Sequence, residues 1–386
     1  MAAGHVPCDP RETVAWLESL ELFGMQLGLE RMHALLERLG HPERAYAAVH
    51  VVGTNGKTTV ARLTEALLAA RGLAVGTYTS PHVVSWSERI RINGEEADFE
   101  RAVKRVRAEA EAVGATQFEV VTAAALGEFA AATVDVAVVE AGLGGRLDAT
   151  NVLQAPVVVL TNVALEHSEH LGSTREAIAR EKLAVVTPGA AVVVGEPEWD
   201  GLAREAGAGR VVVVSQSNLG LAVAAAQELL GRPVDVRPAE AVRVPGRLEP
   251  RGEAPLEIWD GAHNLAGVGW LLARLPDRRD GWVLVLSILR EKDPDRMLAA
   301  FSPLGNHVVT TSSGHPRALA PEELADRARR FFSTVEAVDD PVAALARARE
   351  AAGRDGAVLV SGSLYLLASL AAVRRANVPW GTLASG

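Results

Sequence analysis

A chain of 386 residues, 48% hydrophobic and 23% charged, favours two or three packed domains over one. Its net charge of −9 argues against a general nucleic-acid surface, although a local cluster of cations and helix N-termini can still bind small anions. The single cysteine, Cys8, excludes an intrachain disulfide and a cysteine-held metal cluster. With neither an apolar run of about 18 residues nor a signal-peptide core near Met1, a protein of the reducing cytoplasm with no membrane partner is expected.

Leu29, Met32, Leu35, Leu36 and Leu39 recur at helical spacing and predict a helix, preceded by a loop over residues 23–28. Valine-rich runs then predict buried strands over residues 49–52, 75–78, 134–139, 157–160, 191–194 and 211–214. Helices are predicted between them, over residues 58–70, 99–113 and 175–186. This βα alternation implies a parallel, doubly wound sheet. Residues 231–255 carry Pro233, Pro238, Pro245, Pro250 and Pro255 and read as a linker. A second βα series follows, with strands over residues 256–259, 283–286, 307–310, 335–338 and 357–360. Its helices begin near Leu265, Pro294, Pro321, Pro341 and Leu364. The expected architecture is α/β with two domains, 1–245 holding the larger doubly wound sheet and 246–386 a smaller Rossmann-like unit.

Gly53-Thr54-Asn55-Gly56-Lys57-Thr58-Thr59 joins a predicted strand to a predicted helix. Its glycines let backbone amides approach phosphates, the helix N-terminus favours negative charge, Lys57 reaches the outer phosphates and Thr58 suits magnesium. The spacing is the short G-x-x-G-K-T-T form, because Val51 stands where the longer phosphate loop has its first glycine. Glu140, at the end of a predicted parallel strand, faces the crevice where such sheets bind ligands and suits the same magnesium. The run Gly142-Leu-Gly-Gly-Arg-Leu-Asp148 fails the dinucleotide fingerprint, because Leu147 stands where glycine or alanine is needed. A ligand-admitting loop is the better reading. His167 follows another strand end, with His170 as a competing candidate, and Lys182 sits on a predicted helix; taken alone, a loop histidine and a solvated lysine are ordinary.

The motifs taken together resemble folylpolyglutamate synthase and dihydrofolate synthase, within the Mur ligase superfamily. They are His50-Val-Val-Gly-Thr-Asn-Gly-Lys57, Thr79-Ser-Pro-His82, Glu88-Arg-Ile90, Ile92-Asn-Gly94, Glu140-Ala-Gly-Leu-Gly-Gly-Arg-Leu-Asp-Ala-Thr-Asn151, Asp260-Gly-Ala-His-Asn264 and Gly362-Ser-Leu-Tyr365. Two positions depart from that pattern: Thr58-Thr59 replaces a common Gly-Ser, and Leu265 replaces a common proline.

The resemblance implies an ATP-dependent ligase that joins L-glutamate to dihydropteroate, a reduced folate, or both, through an acyl phosphate. ATP would lie between the domains. It implies two magnesium ions held with Thr58, Ser80, Glu140, His167 and a carbamylated Lys182. It places Gly53 to Thr59, Asn218, Arg247, Asp260 and His263 around ATP. It assigns Asp148, Arg31, Ser80, His263 and Arg317 to the substrates. A monomer is the expected state. Two other readings share the phosphate loop: a ligase for UDP-muramyl cell-wall precursors, and a nucleotide-binding module without ligase activity. The first would not be expected to carry the 142–151 run, and the second does not need two full domains.

Overall fold

The structure is a computed structural model that describes residues 10–21, 28–166, 168–215, 217–277 and 281–376. The chain divides into two compact units, Met1–Val242 and Arg243–Gly386.

The first unit is built on eight strands: β1 Ala47–Val52, β2 Val75–Tyr78, β3 Ile90–Ile92, β4 Glu95–Glu96, β5 Val136–Glu140, β6 Val157–Leu160, β7 Ala191–Val194 and β8 Arg210–Val213. They order as β4-β3-β2-β5-β1-β6-β7-β8. From β2 to β8 the ladder is parallel. Continuous valine runs make these strands because both faces are covered. Along β6, Val157 and Val159 join one apolar core while Val158 and Leu160 join the other. Side chains alternate across a strand, so a strand buried on both faces needs apolar residues at every position. One face packs the helices Glu30–Arg38, Phe99–Val113 and Gln117–Ala131, and the other packs Lys57–Ala69 and Asn218–Leu230.

Several boundaries differ from expectation for local reasons. The strand predicted from 134 begins at Val136, because Thr133 takes a positive φ and the Asp135 carboxylate accepts the Ala74 amide. It runs on to Glu140, so the carboxylate belongs to the strand itself. The helix predicted to 186 stops at Leu183, ahead of Pro188. Helix Gln117–Ala131 has no amphipathic stripe and is buried along most of its length, so periodicity gives it no signal. The hairpin β3–β4 turns at Asn93-Gly94, both with positive φ, which is the turn chemistry such a pair requires. Only Gly28 of the loop expected over residues 23–28 lies among the described residues.

In the second unit six strands order as β13-β12-β11-β14-β10-β9. They are β9 Glu249–Glu253, β10 Leu256–Trp259, β11 Val283–Leu286, β12 His307–Thr310, β13 Thr334–Ala337 and β14 Ala357–Ser361. All pair parallel except β9, which runs antiparallel along the β10 edge. Part of the stretch expected to be a linker is thus a strand. An edge strand needs hydrogen bonds on one side only, so Pro250 is tolerated there.

Gly76 in β2 supports the first core by having no side chain. A Cβ there would sit 2.5 Å from the Phe129 ring. Gly76→Ala is expected to cost about 1–3 kcal/mol in denaturant unfolding through overpacking, and less in a Phe129→Leu background. An equal cost in both backgrounds would show that the ring is not the obstacle.

Candidate active site

The carboxyl ends of β1, β5 and β6 lie side by side, and the loop from β1 into helix Lys57–Ala69 sits above them. Gly53 and Gly56 take φ values of +148° and +83°. A Cβ on Gly53 would lie 1.8 Å from Thr161 Oγ1, and one on Gly56 would lie 2.7 Å from Asn218 Oδ1. Only glycine meets both the backbone conformation and the space. The segment after β6 supports the loop. Thr54 N donates to Asn162 O at 2.9 Å, Asn55 N to Asn162 Oδ1 at 3.0 Å, and Thr161 Oγ1 to Asn55 O at 2.7 Å. Asn218 reaches the same loop from the start of its own helix.

Thr58 Oγ1 donates to Glu140 Oε1 at 3.1 Å, and Ser80 N donates to Glu140 Oε2 at 3.1 Å. The hydroxyl and carboxylate expected to share a cation therefore touch. Among the described residues no three His, Cys, Asp or Glu side chains cluster as a ready-made cation cage. One carboxylate and one hydroxyl, both hard oxygen donors, fit a magnesium-type ion that takes its remaining ligands from phosphates and water. His167 lies outside the described residues. His170 is exposed in the short helix Ser168–Leu171.

Two lysines converge on one carbonyl. Gly53 O accepts from Lys57 Nζ at 3.1 Å and from Lys182 Nζ at 2.9 Å. Lys182 is only 4% exposed. Burial, and then the Lys57 charge, lower its pKa from the usual lysine value to about 7. The ordinary surface-lysine reading is thereby excluded. A folded-state pKa below the unfolded one penalises folding fully at pH below about 7, and the penalty fades as pH rises toward 10.5.

The glycine run lets these groups meet. A Cβ on Gly142 would lie 2.4 Å from Phe118 Cζ, and one on Gly145 would lie 2.6 Å from Lys182 O. The run is pressed between an aromatic ring and the end of the helix that carries Lys182. Asp148, 5% exposed, turns into its own loop: Oδ2 accepts Leu143 N at 2.7 Å, and Oδ1 accepts Thr150 N at 3.0 Å and Thr150 Oγ1 at 2.5 Å. The Gly142 backbone adds a further hydrogen bond. These donors tie the carboxylate to its own loop, so Asp148 organises the 142–150 turn. Burial raises its pKa, and these donors oppose the rise.

Arg31 Nε donates to Glu119 Oε2 at 3.0 Å. Glu119 is buried and also caps the Gln117–Ala131 helix, so this pair fixes helix against helix. Phe118, against Gly142, was not singled out by the sequence. The contact depends on a glycine more than twenty residues away, which no local pattern reveals. Ser80 leads into a loop in which Glu88 accepts the amides of Val83, Val84 and Ser85, and Arg89 lies 4.5 Å over the Trp86 ring.

In the second unit, Asp260 follows β10 with both oxygens engaged, Oδ2 by Leu248 N at 2.8 Å and Oδ1 by Ala262 N at 2.9 Å. Gly261 N donates to Gly246 O at 2.8 Å, which folds the Gly246-Arg247-Leu248 turn onto the Asp260 loop. Arg247 Nη1 donates to Gly246 O and lies 2.8 Å from where a Gly261 Cβ would be. Burial raises the Asp260 pKa, and the nearby Arg247 charge opposes this. His263 Nδ1 lies 2.8 Å from Gly261 O. A carbonyl only accepts, so Nδ1 carries a proton in this contact. Arg317 forms an exposed ion pair with Glu291 at 2.6 Å. Such pairs are worth about 0–1 kcal/mol and exchange readily for another carboxylate.

A short glycine loop at the carboxyl end of a parallel sheet, with a hydroxyl, a carboxylate and two lysines around it, defines a nucleotide-dependent phosphoryl-transfer enzyme of the phosphate-loop class. The model of the Mur ligase middle domain matches residues 51–228, and that of the Mur ligase glutamate ligase domain matches residues 246–364. Dihydrofolate synthase/folylpolyglutamate synthase from Mycobacterium tuberculosis is 35% identical, the match covering 81% of each chain. Escherichia coli FolC, solved in complex with DHPP and ADP, superposes with a TM-score of 0.85 at 30% identity, covering 94% of this chain and 98% of that one. The bifunctional enzyme from Yersinia pestis, complexed with AMPPNP and a manganese ion, gives 0.86 at 30% identity, covering 97% and 100%. The chain belongs to the dihydrofolate synthase/folylpolyglutamate synthase family of Mur ligases, and it is an ATP-dependent ligase.

Gly145→Ala is expected to cut turnover at least about tenfold, because its Cβ would meet the Lys182 and Glu181 carbonyls, backbone that cannot rotate away. Unchanged turnover would show that the loop and the Lys182 helix do not need this close approach.

Proposed function

We propose that the protein forms an amide between the amine of L-glutamate and the carboxylate of a folate-type acid, and that it acts on both dihydropteroate and reduced folates. The substrate carboxylate attacks the γ-phosphorus of ATP, the bond to the β-phosphate oxygen breaks, and ADP leaves. The glutamate amine then attacks the acyl carbon, and the tetrahedral intermediate expels phosphate. Phosphorylation turns a poor leaving group into a good one, so no side-chain nucleophile is needed.

What carries this reading is the convergence of Lys57, Thr58, Glu140 and Lys182 on the loop between β1 and its helix. Backbone amides of Gly53 to Thr59 cradle the phosphates. Lys57 leaves the loop carbonyls for the γ-phosphate and offsets its charge in the transition state. Thr58, Ser80, Glu140, His167 and a carbamylated Lys182 would hold two magnesium-type ions between them. Bound there, such ions polarise phosphoryl oxygens. A lysine whose pKa is lowered to about 7 has a substantial neutral fraction at physiological pH, the form that adds carbon dioxide, and the product is an oxygen ligand. Asn218 packs beside the adenine end of the nucleotide. In the second unit, Arg247, Asp260 and His263 serve ATP and the incoming amino acid, and Arg317 exchanges Glu291 for a glutamate carboxylate. The pterin lies against the 142–148 loop that Asp148 shapes. The name of the matched glutamate ligase domain, and the relatives solved with ADP, DHPP and manganese, support these substrates.

An ADP-release assay with dihydropteroate, tetrahydrofolate and a UDP-muramyl acid in parallel tests the assignment. Glutamate-dependent release is expected with the first two and none with the third. Release with tetrahydrofolate alone would restrict the enzyme to chain extension. Lys57→Ala should stay folded and lose at least about a hundredfold in turnover.

Lys182→Ala is expected to be inactive and partly rescued by a short carboxylic acid that replaces the carbamate oxygens. Normal turnover of the unrescued variant would refute the carbamate role.

A further inference from the structure

Behind the loop proposed to hold the pterin lies a side chain that the reaction scheme leaves unused. His50 is fully buried in β1, between Val139 of β5 and Val158 of β6. Its Nε2 lies 2.8 Å from Thr150 Oγ1, and Thr150 Oγ1 lies 2.5 Å from Asp148 Oδ1. Proton count fixes the direction. Asp148, held by four donors, only accepts, so the single hydroxyl proton of Thr150 goes to the carboxylate. Thr150 must then accept from His50, which makes His50 the Nε2–H tautomer. The other ring nitrogen, Nδ1, is buried with no hydrogen-bond partner among the described residues.

That arrangement is costly. An unpaired buried nitrogen loses its hydration with no replacement, and valine would fill a strand of this kind without that loss. Among the described residues the ring's polar contact is with Thr150, and it ends on the residue that shapes the glycine loop. We infer that His50, acting through Thr150, is a positioning residue for the pterin-bearing substrate: the relay fixes the Asp148 carboxylate, and with it the wall of the 142–148 loop. This rests on the proposed placement of the pterin against that loop. Burial drives the His50 pKa down to about 4, so the ring stays neutral and keeps its single Nε2 proton for Thr150.

Steady-state kinetics on the intact enzyme, with dihydropteroate, ATP and glutamate varied in turn, test the relay. His50→Leu and Thr150→Val should each raise the KM for dihydropteroate about tenfold, the loss expected for a hydrogen bond feeding a charged acceptor. The KM for ATP should stay within about twofold. The double variant should be no worse than the poorer single one, because both remove one chain. Thr150→Ser should restore the KM lost in Thr150→Val, and His50→Gln, whose amide can still donate, should be milder than His50→Leu. A KM for ATP that rises in step, an unchanged KM for dihydropteroate, or additive effects would each overturn the relay. Should His50→Leu fail to fold, the Thr150→Val and Thr150→Ser pair decides the question alone. ADP release by the unmutated enzyme without any pterin-bearing acid would instead sink the substrate assignment on which the relay rests.

Discussion

The site depends on the backbone of one four-residue turn, and above all on the carbonyl of Gly53. That oxygen accepts from both Lys57 and Lys182, residues far apart in sequence. Two ammonium charges on one carbonyl would repel each other, and burial with the Lys57 charge pushes Lys182 toward its neutral form. Any anion delivered to this point, as a phosphate or as a carbamate on Lys182, relieves the repulsion. The structure thus stores at the loop a preference for negative charge, which is what an enzyme handling triphosphate needs.

Glycine supplies the geometry on which that preference rests. Gly53 and Gly56 clear space for Thr161 and Asn218, while Gly145 lets the glycine run close on the carbonyls of Glu181 and Lys182. In each case the close neighbour belongs to another element. Helix, strand and loop approach to van der Waals contact at positions without a Cβ, and so Glu140, Thr58 and Lys182 come within reach of one turn. The price is a set of buried polar groups, among them Asp148, His50 and Lys182, each lodged where an apolar residue would serve the core better. Such local conflicts with good packing mark a functional site in an otherwise consistent fold.

Much of this was legible in the sequence. The valine runs specified most of the parallel strands in both sheets, because strands covered on both faces tolerate little else. The phosphate loop and Glu140 were legible because a strand end, a glycine turn and a helix start are contiguous in sequence, and the chemistry follows from that local order. What the sequence did not reveal was long-range. The four donors that hold Asp148 in its own loop, and the pairing of Arg31 with Glu119, come only from the fold. Residues 249–253 read as linker until an edge of the second sheet is seen to accept them.

The amino-acid sequence by itself determined the fold class, the phosphate loop and the order of the motifs, because each rests on interactions within a few residues or on strict periodicity. Only tertiary structure decided which side chains meet. It set Lys182 on Gly53, joined Thr58 to Glu140, laid Phe118 against Gly142 and linked His50 through Thr150 to Asp148. The physical reason is that pKa, hydrogen-bond satisfaction and burial depend on neighbours in space. Those neighbours come from strands that are adjacent in the sheet and distant in the chain.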